Sequence, residues 1–307
     1  MKSLTIRTKI LFTTYLTLAR QFWWHRRSGK LPLLTWIIGG IEYILAILGS
    51  LVFILIYPNR STVVFGIFNW MRSIDDLIDG DNPNAKHIDI PKYIETKDKV
   101  LKRVLKAKLH EAITEADIFD SGMAYALIQA DGIGIGNLVR THISTIWRLM
   151  VEERHIFSTA TSRKILDTFA MEQDKAIGEL MCVLMGGDVS ILDTWWSNRG
   201  VFTKIDWMRD IDSDITQGLV HISEETLSIT NTDISTFLKN DMDGISKRFA
   251  CVQYEIHTIS RQWDEVLRDR KMFIQSFKNP LMKIIFNSLA IGGFDRRVER
   301  LKRQYKA

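Results

Sequence analysis

Two short segments concentrate carboxylates at helical spacing. Arg72-Ser73-Ile74-Asp75-Asp76-Leu77-Ile78-Asp79 sets Asp75 and Asp79 four residues apart, one turn of an α-helix, with Asp76 beside them. Asp206-Trp207-Met208-Arg209-Asp210-Ile211-Asp212-Ser213-Asp214 stacks Asp206, Asp210 and Asp214 at the same step. Both ladders interrupt strongly apolar stretches, Phe65–Ile78 and Val201–Ile215, where uncompensated carboxylates are costly. Magnesium takes oxygen ligands and is commonly held by a few carboxylates, waters and substrate phosphate oxygens. Two such ladders facing one another would make a Mg2+ site, with Mn2+ as an alternative ion. The cations would neutralise a diphosphate leaving group as its carbon–oxygen bond breaks. Arg72 and Arg209, each just before its ladder, could bind diphosphate oxygens or pair with the neighbouring aspartates. Lys204, upstream of the second ladder, is a further candidate diphosphate contact.

The ladders need helices to carry them, and the rest of the chain supplies helical signals. Val63–Ile78 reads as one helix stopped by Gly80-Asp81-Asn82-Pro83-Asn84. Further helices are predicted over 121–131, 137–155, 162–186, 191–214, 232–270 and 270–290. The charge run within 84–120 that contains Lys97, Lys99, Lys102, Arg103, Lys106 and Lys108 reads as a solvated helix face. Gly132-Ile133-Gly134-Ile135-Gly136 lacks the strand and spacing of a dinucleotide-binding turn and reads as a helix junction. Glu152 and Glu153 follow an apolar helix face and read as a solvated helix end, with an approach to an interior cavity as the alternative. No strand-like alternation and no internal repeat competes. The expectation is all-α, with one helical domain over residues 1–307.

Composition agrees. Of 307 residues, 46% are apolar, enough for a large core, and only five are proline. Cys182 and Cys251 stand far apart with no zinc-ligand spacing, which fits a reducing cytoplasm. The formal charge of +5 is uneven, with seven Lys or Arg and no acid in residues 1–41 and a basic tail from Asp295. No basic stripe with aromatic platforms suggests nucleic acid. Residues 1–30 read as a basic helix whose FWWHRR cluster suits either a membrane–water interface or packing on the domain with solvated arginines, and a peripheral membrane location is expected. Leu31–Ile56 is long and apolar enough to span a bilayer, yet Pro32, Gly39, Gly40 and Glu42 interrupt it, so buried, surface-lying and spanning arrangements stay open.

At these residues the chain resembles the squalene/phytoene synthase family of isoprenoid synthases. FNWMRSIDDLIDG is similar to that family's first aspartate-rich motif, preceded by GSLVFILIYPNR in place of a substrate-lining helix ending in Leu-Pro. VFTKIDWMRDIDSDITQGLVHISEE is similar to its second motif, an Arg-Asp-x-x-x-Asp core with a Gly-Arg-x-Tyr-Leu-Pro tail, and FAMEQDKAIGELMCVLMGG to its Tyr-Cys…Ala-Gly-x-x-Gly helix. The resemblance runs from about Ser50 to Glu225. It implies an isoprenoid synthase helical bundle with a central cavity between the two motifs, and magnesium-dependent ionisation of a prenyl diphosphate. The catalytic, metal-binding aspartates would be Asp75, Asp79, Asp210 and Asp214, with Asp76 flanking.

Departures accompany the matches. Phe169 stands where the family has tyrosine and Asp206 where it has asparagine, both at substrate-binding positions. The tail reads Gly218-Leu219-Val220-His221-Ile222-Ser223, keeping only the glycine. These changes point away from head-to-head coupling and toward a single allylic diphosphate giving a terpene or a prenyl transfer to another acceptor. A head-to-head synthase and a catalytically inactive assembly protein on the same fold are the alternatives.

Overall fold

Proline costs a helix little at its first turn, where the missing N–H has no intrahelical partner, and Pro58 opens the first described helix at that position. The computed structural model describes residues 57–78, 88–106, 118–191, 200–277, 280–285, 287 and 291–306. Of these, 84% are helical and none lies in a strand; one isolated bridge joins Thr161 and Ser223. The fold is all-α. The 1–30 helix, the Leu31–Ile56 stretch and Asp79 lie outside the described residues. Among the described residues no helix is long and apolar enough to cross a membrane.

The chain divides into two compact units, residues 1–140 and 141–307. In the first, α1 (Pro58–Ile78) packs on α3 (Ile118–Gly132), and α3 also packs on α2 (Ile90–Lys106). The α1–α3 crossing is close because small residues meet there: a Cβ on Gly66 would lie 2.7 Å from the Ala126 Cβ and 2.9 Å from the Gly122 carbonyl. Val63, Ile67, Trp70 and Ile74 line the buried side of α1 at helical spacing. Trp70 donates to Asp120 Oδ1 at 2.9 Å, and Lys97 reaches the other oxygen at 2.7 Å. Lys97 therefore departs from the expected solvated face. It is buried on the side of α2 that carries Val100, Leu101 and Val104, where it neutralises the buried Asp120, while Lys99 and Lys102 stay exposed. Gly134 adopts a positive φ of 78° between α3 and the next helix, so the glycine run is the helix junction its sequence suggested.

The helix α4 (Gly136–Ile156) leads into the second unit, which contains α5 (Arg163–Met185), α6 (Val201–Thr216), α7 (Glu224–Ile229), α8 (Ile234–Phe237), α9 (Met242–Ser276), α10 (Pro280–Ile285) and α11 (Gly292–Tyr305). α6 packs on α5, α9 and α11. The single helix expected over 232–270 is broken. Asp233 caps α8 and Asp241 caps α9, and the turn between them is so tight that a Cβ on Gly244 would sit 2.2 Å from the Lys239 carbonyl. Of the helix expected over 191–214, residues 192–199 lie outside the described ones, and α6 starts at Val201 after Gly200, which takes a positive φ of 56°. Cys182 and Cys251 are both buried and free.

Candidate functional site

The second ladder is held in place from its amino-terminal end. α6 has no side-chain cap of its own, because Gly200 occupies the N-cap and sits too close to Ala170 and Met171 of α5 for a larger residue. Asp174 of α5 supplies the cap instead. Its buried carboxylate accepts from the Phe202 N–H at 3.0 Å, the Thr203 N–H at 2.9 Å and the Thr203 hydroxyl at 2.7 Å. Burial pushes the Asp174 carboxyl up to about 7, against the pull of these donors. Val201, Phe202, Ile205, Met208, Ile211 and Ile215 are buried, which leaves the carboxylates to one side of the helix.

That side is dense in compensating charge. Arg209 pairs with Asp206 at 2.9 Å and with Asp210, and Arg297 of α11 reaches Asp206 at 2.8 Å while its guanidinium lies over the Phe294 ring. Asp206, Arg209 and Asp210 keep 40–43% of their side chains accessible, whereas Asp214 keeps only 16%. Burial raises the Asp206 carboxyl above its ordinary range, opposed by Arg209 and Arg297. Burial also works against the charge on Arg209, but Asp210 and Asp206 outweigh it and hold the guanidinium above its ordinary value.

Asp214 turns toward the protein. His221 Nδ1 lies 2.8 Å from Asp214 Oδ2, and its Nε2 lies 3.1 Å from Glu153 Oε1, off the line of a hydrogen bond. Trp207 donates its indole N–H to the same Glu153 oxygen at 3.0 Å, and its ring lies flat on the imidazole, 4.6 Å between centroids and 5° between planes. Phe157 meets Phe169, Trp207 and His221 edge-on at 5.0–5.3 Å. Burial opposes charge on His221, but Asp214 and Glu153 more than offset it and raise the imidazole above its ordinary value; burial likewise raises Asp214, with His221 opposing.

The tail reaches this position through backbone bonds. Leu219 N–H returns to the Asp214 carbonyl, Val220 N–H donates to the Phe157 carbonyl and Glu224 N–H to the Thr161 carbonyl. Arg163 and Thr226 then converge on the buried Glu255 of α9, the guanidinium bridging both carboxylate oxygens at 2.6 Å. Ser223, where the family pattern has proline, caps α7 by accepting from the Thr226 N–H.

In the first unit, Asp75 is half-buried and pairs with Arg72 three residues before it. The Asp76 side chain lies outside the described residues, as does Asp79. Each arginine next to a ladder is thus paired with aspartates of that ladder. Lys204 is buried and bonded to Asp167 at 2.7 Å, so a diphosphate contact would require it to leave that partner. Phe169 is buried in the aromatic cluster. Glu153 is not the solvated helix end expected from sequence, although Glu152, paired with Arg148, is. Asp174, Arg297 and Glu255 carried no local signal in the sequence, since each acts on a partner 28 to 92 residues away.

Carboxylate oxygens on the half-exposed Asp75, Asp206 and Asp210 are the donors magnesium prefers. Asp214 fits less well, being largely buried and already paired with His221. Among the described residues no three His, Cys, Asp or Glu side chains converge as a ready metal cage. Comparison of the chain with family models and with curated proteins finds no match.

Proposed function

We propose that this chain is an isoprenoid-diphosphate enzyme that ionises an allylic prenyl diphosphate with the help of Mg2+ or Mn2+, on a helical bundle of isoprenoid synthase type. The observation that carries the reading is the half-exposed side of α6. There Asp206 and Asp210 stand one turn apart beside Arg209 and Arg297, and the intervening Trp207 of the same helix packs into a cluster with Phe157 and Phe169. When bound, the divalent cation supplies Lewis-acid neutralisation of the leaving diphosphate. The proposed carboxylate ligands are Asp210 in the second ladder and Asp75, with Asp76 and Asp79, in the first. Arg209 and Arg297 are the guanidiniums suited to diphosphate oxygens. An apolar aromatic surround excludes water from a cationic intermediate.

The departures from the family pattern favour one substrate over two. Leu219, in place of arginine, is buried; His221, in place of tyrosine, is committed to Asp214 and Glu153; Ser223, in place of proline, is a helix cap. Their polar atoms are occupied with holding the tail. A terpene or a prenyl-transfer product is therefore the expected class. Contact with a membrane surface would suit the greasy substrate.

One observation favours a second reading, an inactive relative retained for assembly: Asp75, Asp210 and Asp214 each already have a protein partner, in Arg72, Arg209 and His221. Incubation with each allylic diphosphate and Mg2+, reading diphosphate release and hydrocarbon products, separates the two. Asp75→Asn and Asp210→Asn should each lower turnover at least about a hundredfold, as expected when a metal clamp loses a ligand. Wild-type turnover in both variants would refute the ladder mechanism, and a head-to-head dimer as main product would refute the product class.

A further inference from the structure

α11 and the start of α9 leave open to solvent a combination of side chains that packing does not require. α11 turns Val298, Leu301 and Tyr305 into the core, so Arg296, Arg300 and Arg303, spaced four and three residues apart, come out on the opposite side and are exposed. On α9, Met242, Ile245 and Phe249 share one side by the same spacing and stay 82%, 49% and 38% accessible. Single exposed apolar residues are ordinary, but three on one side of a helix form a stripe. The two features adjoin. The Phe249 ring lies 5.1 Å from that of Tyr305, and Gln253 donates to the Lys306 carbonyl at 3.3 Å, so the last turn of α11, with Arg303 and Lys306, ends beside the stripe.

Most acids of these segments are engaged within the protein. Asp295 accepts the Trp263 indole N–H at 2.9 Å, Glu299 holds Lys302 at 2.9 Å, and Asp241 accepts the Gly244 N–H as the cap of α9. Asp243, exposed next to Met242, is outnumbered by the exposed Lys239, Arg303 and Lys306. The surface thus sets cations beside apolar side chains. A bilayer with anionic headgroups satisfies both, because the arginines meet lipid phosphates while the apolar stripe enters the boundary between headgroups and acyl chains. A single-stranded nucleic acid would use the cations but would find no aromatic platform in Met242 and Ile245. We propose that the arginine side of α11 and the stripe of Met242, Ile245 and Phe249 together form a surface that docks this chain on anionic membrane. The docking rests on the membrane contact proposed above, acts alongside any contribution of residues 1–30, and does not depend on the diphosphate chemistry.

The test is flotation of the full chain with phosphatidylcholine vesicles containing phosphatidylserine, over a range of lipid concentrations, in parallel with sedimentation equilibrium without lipid. Arg300→Gln/Arg303→Gln should weaken partitioning at least about tenfold at low salt. Met242→Ser/Ile245→Ser should weaken it at least about threefold at low and high salt alike, since burial of apolar surface is not screened. Lys99→Gln/Lys102→Gln, which removes the same charge from α2, should change it less than about threefold. All six side chains are exposed, so the variants keep the folded state. Wild-type partitioning in either α9 or α11 variant, or an equal loss in the α2 variant, overturns this surface and leaves membrane contact standing. A wild-type dimer that Met242→Ser/Ile245→Ser dissolves assigns the stripe to a second copy of the chain and likewise overturns it. Absence of vesicle binding by the wild-type chain overturns both the surface and the membrane contact.

Discussion

Replacing Asp174 by asparagine probes how the second ladder is positioned. Asp174 Oδ1 accepts both bonds from Thr203, and Oδ2 accepts the Phe202 N–H. An asparagine oriented to keep the Thr203 bonds sets its NH2 against the Phe202 N–H, donor against donor, in a site with almost no water. One buried N–H left unsatisfied costs ~1–3 kcal/mol, so Asp174→Asn should unfold at lower denaturant with an unchanged m-value. The cost has a pH signature. Burial pushes the Asp174 carboxyl from the ordinary carboxylate range up to about 7, opposed by Thr203 and Phe202 and assisted by Asp206. Between these values the folded state binds the proton that the unfolded state has released. The contribution of Asp174 to stability therefore falls as pH rises from about 4 to about 7 and is constant above. Asparagine has no such slope, so the advantage of the wild type over Asp174→Asn should be larger at pH 5 than at pH 8. Urea unfolding at both pH values, followed by circular dichroism, measures it. No loss of stability at pH 5 would refute the cap, and a gap independent of pH would refute the raised carboxyl.

In the first unit, Lys97→Met leaves Asp120 buried with Trp70 but without its cation, and should destabilise by about 3 kcal/mol in denaturant titration, since breaking a buried pair from one side is costly. Gly66→Val forces side-chain atoms against Ala126 and the Gly122 carbonyl and should lower stability by ~1–3 kcal/mol, visible as a lower melting temperature. Flotation with anionic vesicles should recover the full chain at low salt and release part of it at high salt, because a basic surface binds such lipid through screened electrostatics. Extraction only by detergent would instead assign a spanning segment, and no vesicle binding at all would refute membrane contact.

Helical character and the acidic ladders could be read directly from the sequence, because both depend on spacing along one chain. Asp206, Asp210 and Asp214 share a helix side by periodicity alone, and α1, α3, α4 and α5 carry the apolar spacing that the core requires. The glycine junction around Gly134 was legible for the same local reason. What periodicity could not reveal was which charges would be buried and with whom. Lys97 looks like its exposed neighbours Lys99 and Lys102 until Asp120 of α3 is brought against it. Glu153 looks like Glu152 until Trp207 and His221 arrive from residues 54 and 68 positions further on. His221 reads as a lost tyrosine in the sequence, and its pairing with Asp214 depends on a turn at Gly218 and backbone bonds from the 157–161 segment. The ladder's existence is a property of residue spacing, because a helix has one period. The charge state and freedom of each carboxylate are properties of the tertiary structure, because desolvation and ion pairing depend on groups that only folding brings within a few ångströms.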